Sequence, residues 1–281
     1  MAGILSGLTS LGLEDLENTC IFEEEHAAHT AQKKVAKPLP EVEEKDLIYD
    51  RSFICPVCDS KYTSKVMKSG KAKLLSTDID LRAKYEGIDA MKYDVHVCPK
   101  CGYAVLTHYY QPLINAQIRM IKESICNKVK IHIPEGETYT YEEVIERYKL
   151  ALACAVVKHG KDSEKAYICL HLAWLLRGYG EEIEKANDPD KILEEIRQQE
   201  KDCLKNAFDG LLSARQKETM PICGMDQSTL DYLLAALAYL LREDTVAAKV
   251  ISDILTSGVA NSRTKDKARE LKELLLARHR K

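Results

Sequence analysis

The chain has 281 residues, 45% of them apolar and 30% charged, with a formal net charge of -3. That composition fits one large or two modest globular domains, and it leaves no global field to argue for nucleic acid or a membrane surface. The charge is unevenly spread: residues 1–50 carry eleven Asp or Glu against four Lys, whereas residues 261–281 carry eight Lys or Arg against three acids.

Ten cysteines could suggest disulfides, but no charged n-region, apolar core and small-residue cleavage site precedes them. A reducing, cytoplasmic setting is the expectation. No window approaches roughly 18 uninterrupted apolar residues, so no membrane span is expected.

In chain order, Ile4, Leu5, Leu8, Leu11, Leu13 and Leu16 form a short amphipathic pattern, followed by an acidic, Ala- and Pro-containing run from Glu23 to Glu44. Residues 1–46 therefore read as an acidic terminal helix and a flexible linker. Cys20, His26 and His29 in this stretch have no metal-ligand spacing. Residues 47–111 read as a small β-domain, with short alternating stretches at Ser52–Ile54, Lys61–Val66, Lys71–Leu75 and Tyr93–Val97 and a hairpin turn expected at Gly70. Within it lie Cys55-Pro56-Val57-Cys58 and Cys98-Pro99-Lys100-Cys101.

Two residues between cysteines let both sulfurs of a knuckle reach one ion, and two knuckles fill a tetrahedral shell. Cys55, Cys58, Cys98 and Cys101 are thus the expected ligands of one structural Zn2+, because four protein sulfurs leave no position for water. Iron in a thiolate cage is the lesser alternative. A redox dithiol would need a single CxxC beside a βαβ pattern, which is absent. His96 and His108 flank the second knuckle but are surplus as ligands. The long spacer must hold a substructure, with Leu81, Tyr85, Ile88, Met91 and Tyr93 expected to pack on the zinc domain or adjacent helices.

Residues 112–281 follow the 3.6-residue period, with helices expected at Pro112–Lys128, Tyr141–Lys158, Ser163–Tyr179, Pro189–Lys217, Asp226–Leu241, Asp244–Thr256 and Ser262–Arg280. Thr140, Asp188 and Asp226 are start signals, and Gly160, Gly180 and Gly258 are stop signals. Tyr148, Leu152 and Ala155 with Ala166, Leu170, Ala173 and Trp174 suggest one helical hairpin. Leu230, Leu233, Leu234 and Leu237 with Val246, Val250, Ile251 and Ile254 suggest another. Small residues at Cys154, Ala235, Ala166 and Ala247 give these pairs a tetratricopeptide-like character. The fold class expected is α+β, mostly α: a zinc-ribbon-like domain fused to a helical repeat-like domain.

The segments CPVC at Cys55–Cys58 and DIDLRAKYEGIDAMKYDVHVCPKCGYAVL at Asp78–Leu106 resemble an uncharacterised bacterial family found in Firmicutes, as does GMDQSTLDYLLAALAYLLRED at Gly224–Asp244. The resemblance covers residues 47–275. It implies a bacterial cytosolic protein with tandem zinc knuckles followed by tetratricopeptide-like helices, and it supplies no reaction.

No GxSxG, GxxxxGK[ST] or HExxH motif occurs. The leading functional expectation is a non-enzymatic binding protein whose helical surface holds a protein or peptide. The alternative is RNA or DNA binding through the basic run Lys61, Lys65, Lys68, Lys71 and Lys73, read as a hairpin. A metal-dependent enzyme is the third reading.

Overall fold

The computed structural model describes residues 43–129, 136–186 and 191–280. The expected N-terminal helix, most of the acidic linker, and the Asp188-Pro189 start signal lie outside them. The fold is α+β and mostly helical, with small antiparallel strand pairs towards the N-terminal end.

Among the described residues, six short strands form three two-stranded sheets: β1 (Ile48–Ile54) with β2 (Lys61–Met67), β3 (Leu74–Thr77) with β4 (Ala83–Tyr85), and β5 (Val95–Val97) with β6 (Ala104–Leu106). Gly70 does turn the chain, at φ +70°, but the strands on either side of it do not pair with each other. The expected hairpin at Gly70 is therefore replaced by two others. Pairing of Ile48 with Met67 through Ile54 with Lys61 makes the first knuckle the turn of the β1–β2 hairpin. Pairing of Val95 with Leu106 through Val97 with Ala104 does the same for the second knuckle. Between them β4 and a 3-10 turn at Ala90–Tyr93 form part of the substructure expected in the spacer.

The helices are α1 (Asn115–Ile121), α2 (Tyr141–Val157), α3 (Asp162–Lys185), α4 (Lys191–Lys217), α5 (Gln227–Leu240), α6 (Asp244–Thr256) and α7 (Ser262–His279). Start signals act as expected at Thr140, where a reciprocal cap with Glu143 forms, and at Asp226, whose carboxylate accepts from Thr229 N. The first expected helix is shorter: α1 opens at Asn115 and widens into a π turn at Lys122–Cys126. The end of α2 is turned by His159 at φ 51°, one residue before the expected Gly160, whose N–H donates back to Ala155 O.

Gly180 does not stop α3. The helix runs on to Lys185, because its last turns are held by packing and ion pairs against other elements. Nearly every side of its middle is buried. Ile168, Leu172, Leu175 and Leu176 join the cluster formed by β1, β2, β5, β6 and α2, whereas Ala166, Leu170, Ala173 and Trp174 join the cluster of α4–α7. α2 and α3 do pack together as the expected hairpin, with Leu152 touching both clusters, but Tyr148 and Ala155 share the first cluster with Ile168, Leu172, Leu175 and Leu176, and the expected face Ala166, Leu170, Ala173 and Trp174 belongs to the second. Gly210 in α4 lets the helices close up, since a Cβ there would lie 2.7 Å from Ala166 Cβ. Leu230, Leu233, Leu234 and Leu237 of α5 pack with Ile251 and Ile254 of α6, and α7 packs against both helices.

Candidate metal centre and its insert

Each knuckle is a tight turn with the same hydrogen bonding. Cys55 N donates to Ser60 O and Asp59 N to Cys55 O; Cys98 N donates to Tyr103 O and Gly102 N to Cys98 O. The residue after the last cysteine takes positive φ in both, Asp59 at 58° and Gly102 at 74°. Only a left-handed residue lets the strand reverse there, and Asp and Gly are the side chains that tolerate it. Val57 N donates to Cys55 Sγ at 3.4 Å, the backbone-to-sulfur bond expected of a knuckle.

These turns bring the four cysteine Sγ atoms within 4.8 Å of one another. Cys55 and Cys101 Sγ are 3.5 Å apart and Cys58 and Cys98 Sγ 3.7 Å apart, close to the roughly 3.8 Å edge of a tetrahedron built on metal–sulfur bonds of about 2.3 Å. Cys55, Cys98 and Cys101 are buried and Cys58 is half-buried. Contact with Cys101 and burial raise the Cys55 thiol far above its ordinary range, and burial pushes Cys98 up to about 11. For Cys58, burial is outweighed by hydrogen bonds involving Ser60 and the neighbouring thiols, which bring it down to about 7. Four crowded sulfurs of this kind deprotonate together only when a cation shares their electrons, so the donor set could hold a soft metal ion.

Two residues that escaped the spacing argument support the second knuckle. Cys154 of α2 accepts from Ala104 N at 3.4 Å, and Val129 covers Gly102 so closely that a Cβ there would lie 2.4 Å from Val129 Cγ1. His96 is not a surface residue and lies outside the four-cysteine group: it is fully buried, its ring centroid 4.1 Å from that of Phe53 and its Nε2 3.0 Å from Thr107 Oγ1. His108 is exposed.

The insert between the knuckles is tied to α3 by charge. Arg177 Nη1 and Nη2 bond the two oxygens of Asp80 at 3.0 and 2.7 Å, its Nε bonds Glu200 of α4 at 2.7 Å, and Trp174 Nε1 donates to Asp80 Oδ2 at 3.0 Å. Burial opposes a charged Arg177, but Asp80 and Glu200 more than offset it and hold the guanidinium charged. Arg82 and Lys84 reach Glu181 at 3.1 and 2.7 Å. Ile88 and Tyr93 are buried in the first cluster, and Leu81 and Met91 pack on the second. Sequence periodicity placed Trp174 on a helical face without its Asp80 partner, and it missed Arg177, Gly178 and Glu181. The available signal was a pair of opposite charges, Arg177 and Glu181, inside an apolar helix.

The basic run is not a hairpin. Alternation in β2 buries Tyr62, Ser64 and Val66 and exposes Lys61, while Lys71 and Lys73 follow the Gly70 turn. Lys65 Nζ lies 3.6 Å from Asp50, its cross-strand neighbour, Lys73 Nζ lies 4.0 Å from Glu86, and Lys68 Nζ donates to Asp46 O at 2.8 Å. Carboxylates therefore interleave with these lysines.

Among the described residues no helix is long and apolar enough to cross a membrane. A family model described as an uncharacterized protein conserved in bacteria (DUF2225) matches residues 48–275. No curated protein and no solved structure matches the chain.

Proposed function

The chain belongs to this family of uncharacterized proteins conserved in bacteria, and from that premise we propose that it is a non-enzymatic binding protein, stapled by one structural Zn2+, that engages a protein or peptide in the bacterial cytoplasm. The observation that carries the reading is the convergence of Cys55, Cys58, Cys98 and Cys101 within 4.8 Å at the tips of two hairpins. Four sulfurs complete a tetrahedral zinc shell and leave no site for an activated water, so the ion's contribution is folding energy. Zinc is preferred over iron because the ion has only to hold two turns together.

Residues 47–111 then act as the stapled part and residues 112–281 as the helical, tetratricopeptide-like part. The latter supplies the binding surface: α6 and α7 keep Val246, Leu274 and Leu276 partly exposed, and Val259 between these helices is 94% exposed. Interleaved carboxylates beside Lys65 and Lys73 weigh against a phosphate-tracking surface on Lys61, Lys65, Lys68, Lys71 and Lys73.

Metal analysis of the purified chain tests the staple, with one zinc per chain expected. Cys55→Ser should release it and open Arg51–Tyr110 to protease, because site formation and local folding are linked. A red, iron-loaded preparation, or full zinc retention by the variant, would sink the assignment. Crosslinking in cells followed by partner identification tests the binding surface; capture of nucleic acid with a steep salt dependence in place of protein would replace this reading with the nucleic-acid one.

A further inference from the structure

Cys126 brings a fifth thiol to the metal centre. It closes the π turn Lys122–Cys126, and Lys128 N and Val129 N both donate back to Ile125 O, so the chain folds over at this point. The fold-over seats Val129 on Gly102, where a Cβ would lie 2.4 Å from Val129 Cγ1. Gly102 follows Cys101 directly in the chain. Cys126 is thereby carried to the same knuckle, and its thiol and that of Cys101 are hydrogen-bonding neighbours.

Among the described residues, the sulfurs that all lie within 4.8 Å of one another are those of Cys55, Cys58, Cys98 and Cys101. Cys126 therefore meets one ligand while standing outside the shell. Its side chain is half-buried, whereas Cys55, Cys98 and Cys101 are buried. Cys154, the other thiol beside the second knuckle, is buried and accepts from Ala104 N. Oxidants select thiols by exposure and thiolate character. With the electron pairs of the four ligands committed to an ion, Cys126 is the thiol at this centre that is both free of metal and open to solvent.

We propose that Cys126 and Cys101 form a redox pair: a peroxide joins them in a disulfide, and the metal centre loses one of its four ligands. The Cys126 sulfur attacks a peroxide oxygen and the O–O bond breaks, giving the sulfenic acid of Cys126 and, from hydrogen peroxide, one water. The Cys101 thiolate then attacks the sulfenic sulfur, the S–O bond breaks, and the departing hydroxide takes a proton from solvent as the second water. The two sulfurs supply the two electrons that the peroxide gains. Three sulfurs remain, with one position open, and they hold the ion less tightly. A thiol reductant cleaves the disulfide and restores the shell. Loss of the ion rests on the zinc reading, whereas the disulfide rests on the placement of Cys126 alone.

The test treats the zinc-loaded full chain with hydrogen peroxide, follows released zinc with a chromogenic chelator, and maps the cysteines by alkylation and tryptic mass spectrometry. Cleavage at Lys100, Arg119, Lys122 and Lys128 places Cys98, Cys101 and Cys126 on three different peptides. A Cys101–Cys126 crosslinked peptide should form in step with zinc release and disappear with dithiothreitol. Cys126→Ser should hold zinc as the parent does before oxidation, and under peroxide it should release zinc at least about tenfold more slowly. Cys223→Ser should behave as the parent. Circular dichroism checks that Cys126→Ser is folded, and Cys126→Ala replaces it if it is not; the crosslink map of the parent chain decides in either case. A chain purified without zinc fails the staple reading alone, and the crosslinked peptide still decides the redox pair. Crosslinks confined to Cys55, Cys58, Cys98 and Cys101, an unchanged release rate in the folded variant, or zinc already lost from reduced Cys126→Ser would overturn the proposal.

Discussion

At the scale of single residues, His96 couples the β-rich region to pH. Burial lowers its pKa from 6.5 to about 4, so between those values the unfolded chain binds a proton that the folded chain refuses. Its contribution is complete above pH 6.5 and is lost as pH falls towards 4, on the order of 3 kcal/mol across that window. Urea melts at both ends of the window should show this loss, and His96→Phe, which keeps a ring against Phe53, should flatten the acid limb; an equally steep limb in the variant would remove His96 as the cause. Gly102 carries a second prediction. Gly102→Ala meets both a φ of +74° and a Val129 methyl 2.4 Å away, so it should cost at least the roughly 1–2 kcal/mol of a left-handed L-residue. A loss no larger than that floor in a denaturant melt would mean that Val129 moves aside from the knuckle, and a loss below it would remove the left-handed strain as well.

At the scale of elements, the insert and α3 stabilise each other's geometry. Asp80 is fully buried and satisfied by Arg177 and Trp174. Removing one member of such a pair strands a buried charge, so Asp80→Ala should cost about 3–5 kcal/mol. The expected readout is a lower urea midpoint at unchanged slope; an unshifted midpoint would show that the insert floats. This lock also explains what the sequence could reveal. The helices were legible because their apolar period and caps are local: Thr140, Asp226 and the Leu-rich run of α5 announce themselves. The cysteine set was legible because ligand spacing is chemistry written in sequence. Strand partners were not, because Lys61–Met67 carries the same alternation whether it pairs before or after Gly70. Nor was the extent of α3, since Gly180 reads as a stop until Glu181 is seen to be held by Arg82 and Lys84. The close packing of Asp89 and Tyr141 over Gly178 depends on residues 89, 141 and 178 meeting, and no local pattern encodes that.

At the scale of the whole molecule, one hydrophobic cluster runs from the knuckle hairpins through α2 and into α3, which also faces the second cluster. Chelating the metal should therefore lower one cooperative melting transition in which helical signal and knuckle accessibility change together. Two separated transitions, with the helices melting at their original temperature, would show that the clusters are independent.

The two halves of the donor set are made at different times. Cys58 and Cys98 are 40 residues apart, so at about 5–20 residues per second the ribosome extends the chain for roughly 2–8 s between them. Throughout that interval the first knuckle is a dithiol without its mate, able to grip any thiophilic ion in two-coordinate fashion. Closure of the β5–β6 hairpin adds the other two sulfurs and, with them, the preference for a tetrahedral occupant. On the zinc reading, metal choice waits for the second knuckle, complete at residue 101 of 281, when the later hairpin edits what the earlier one collected.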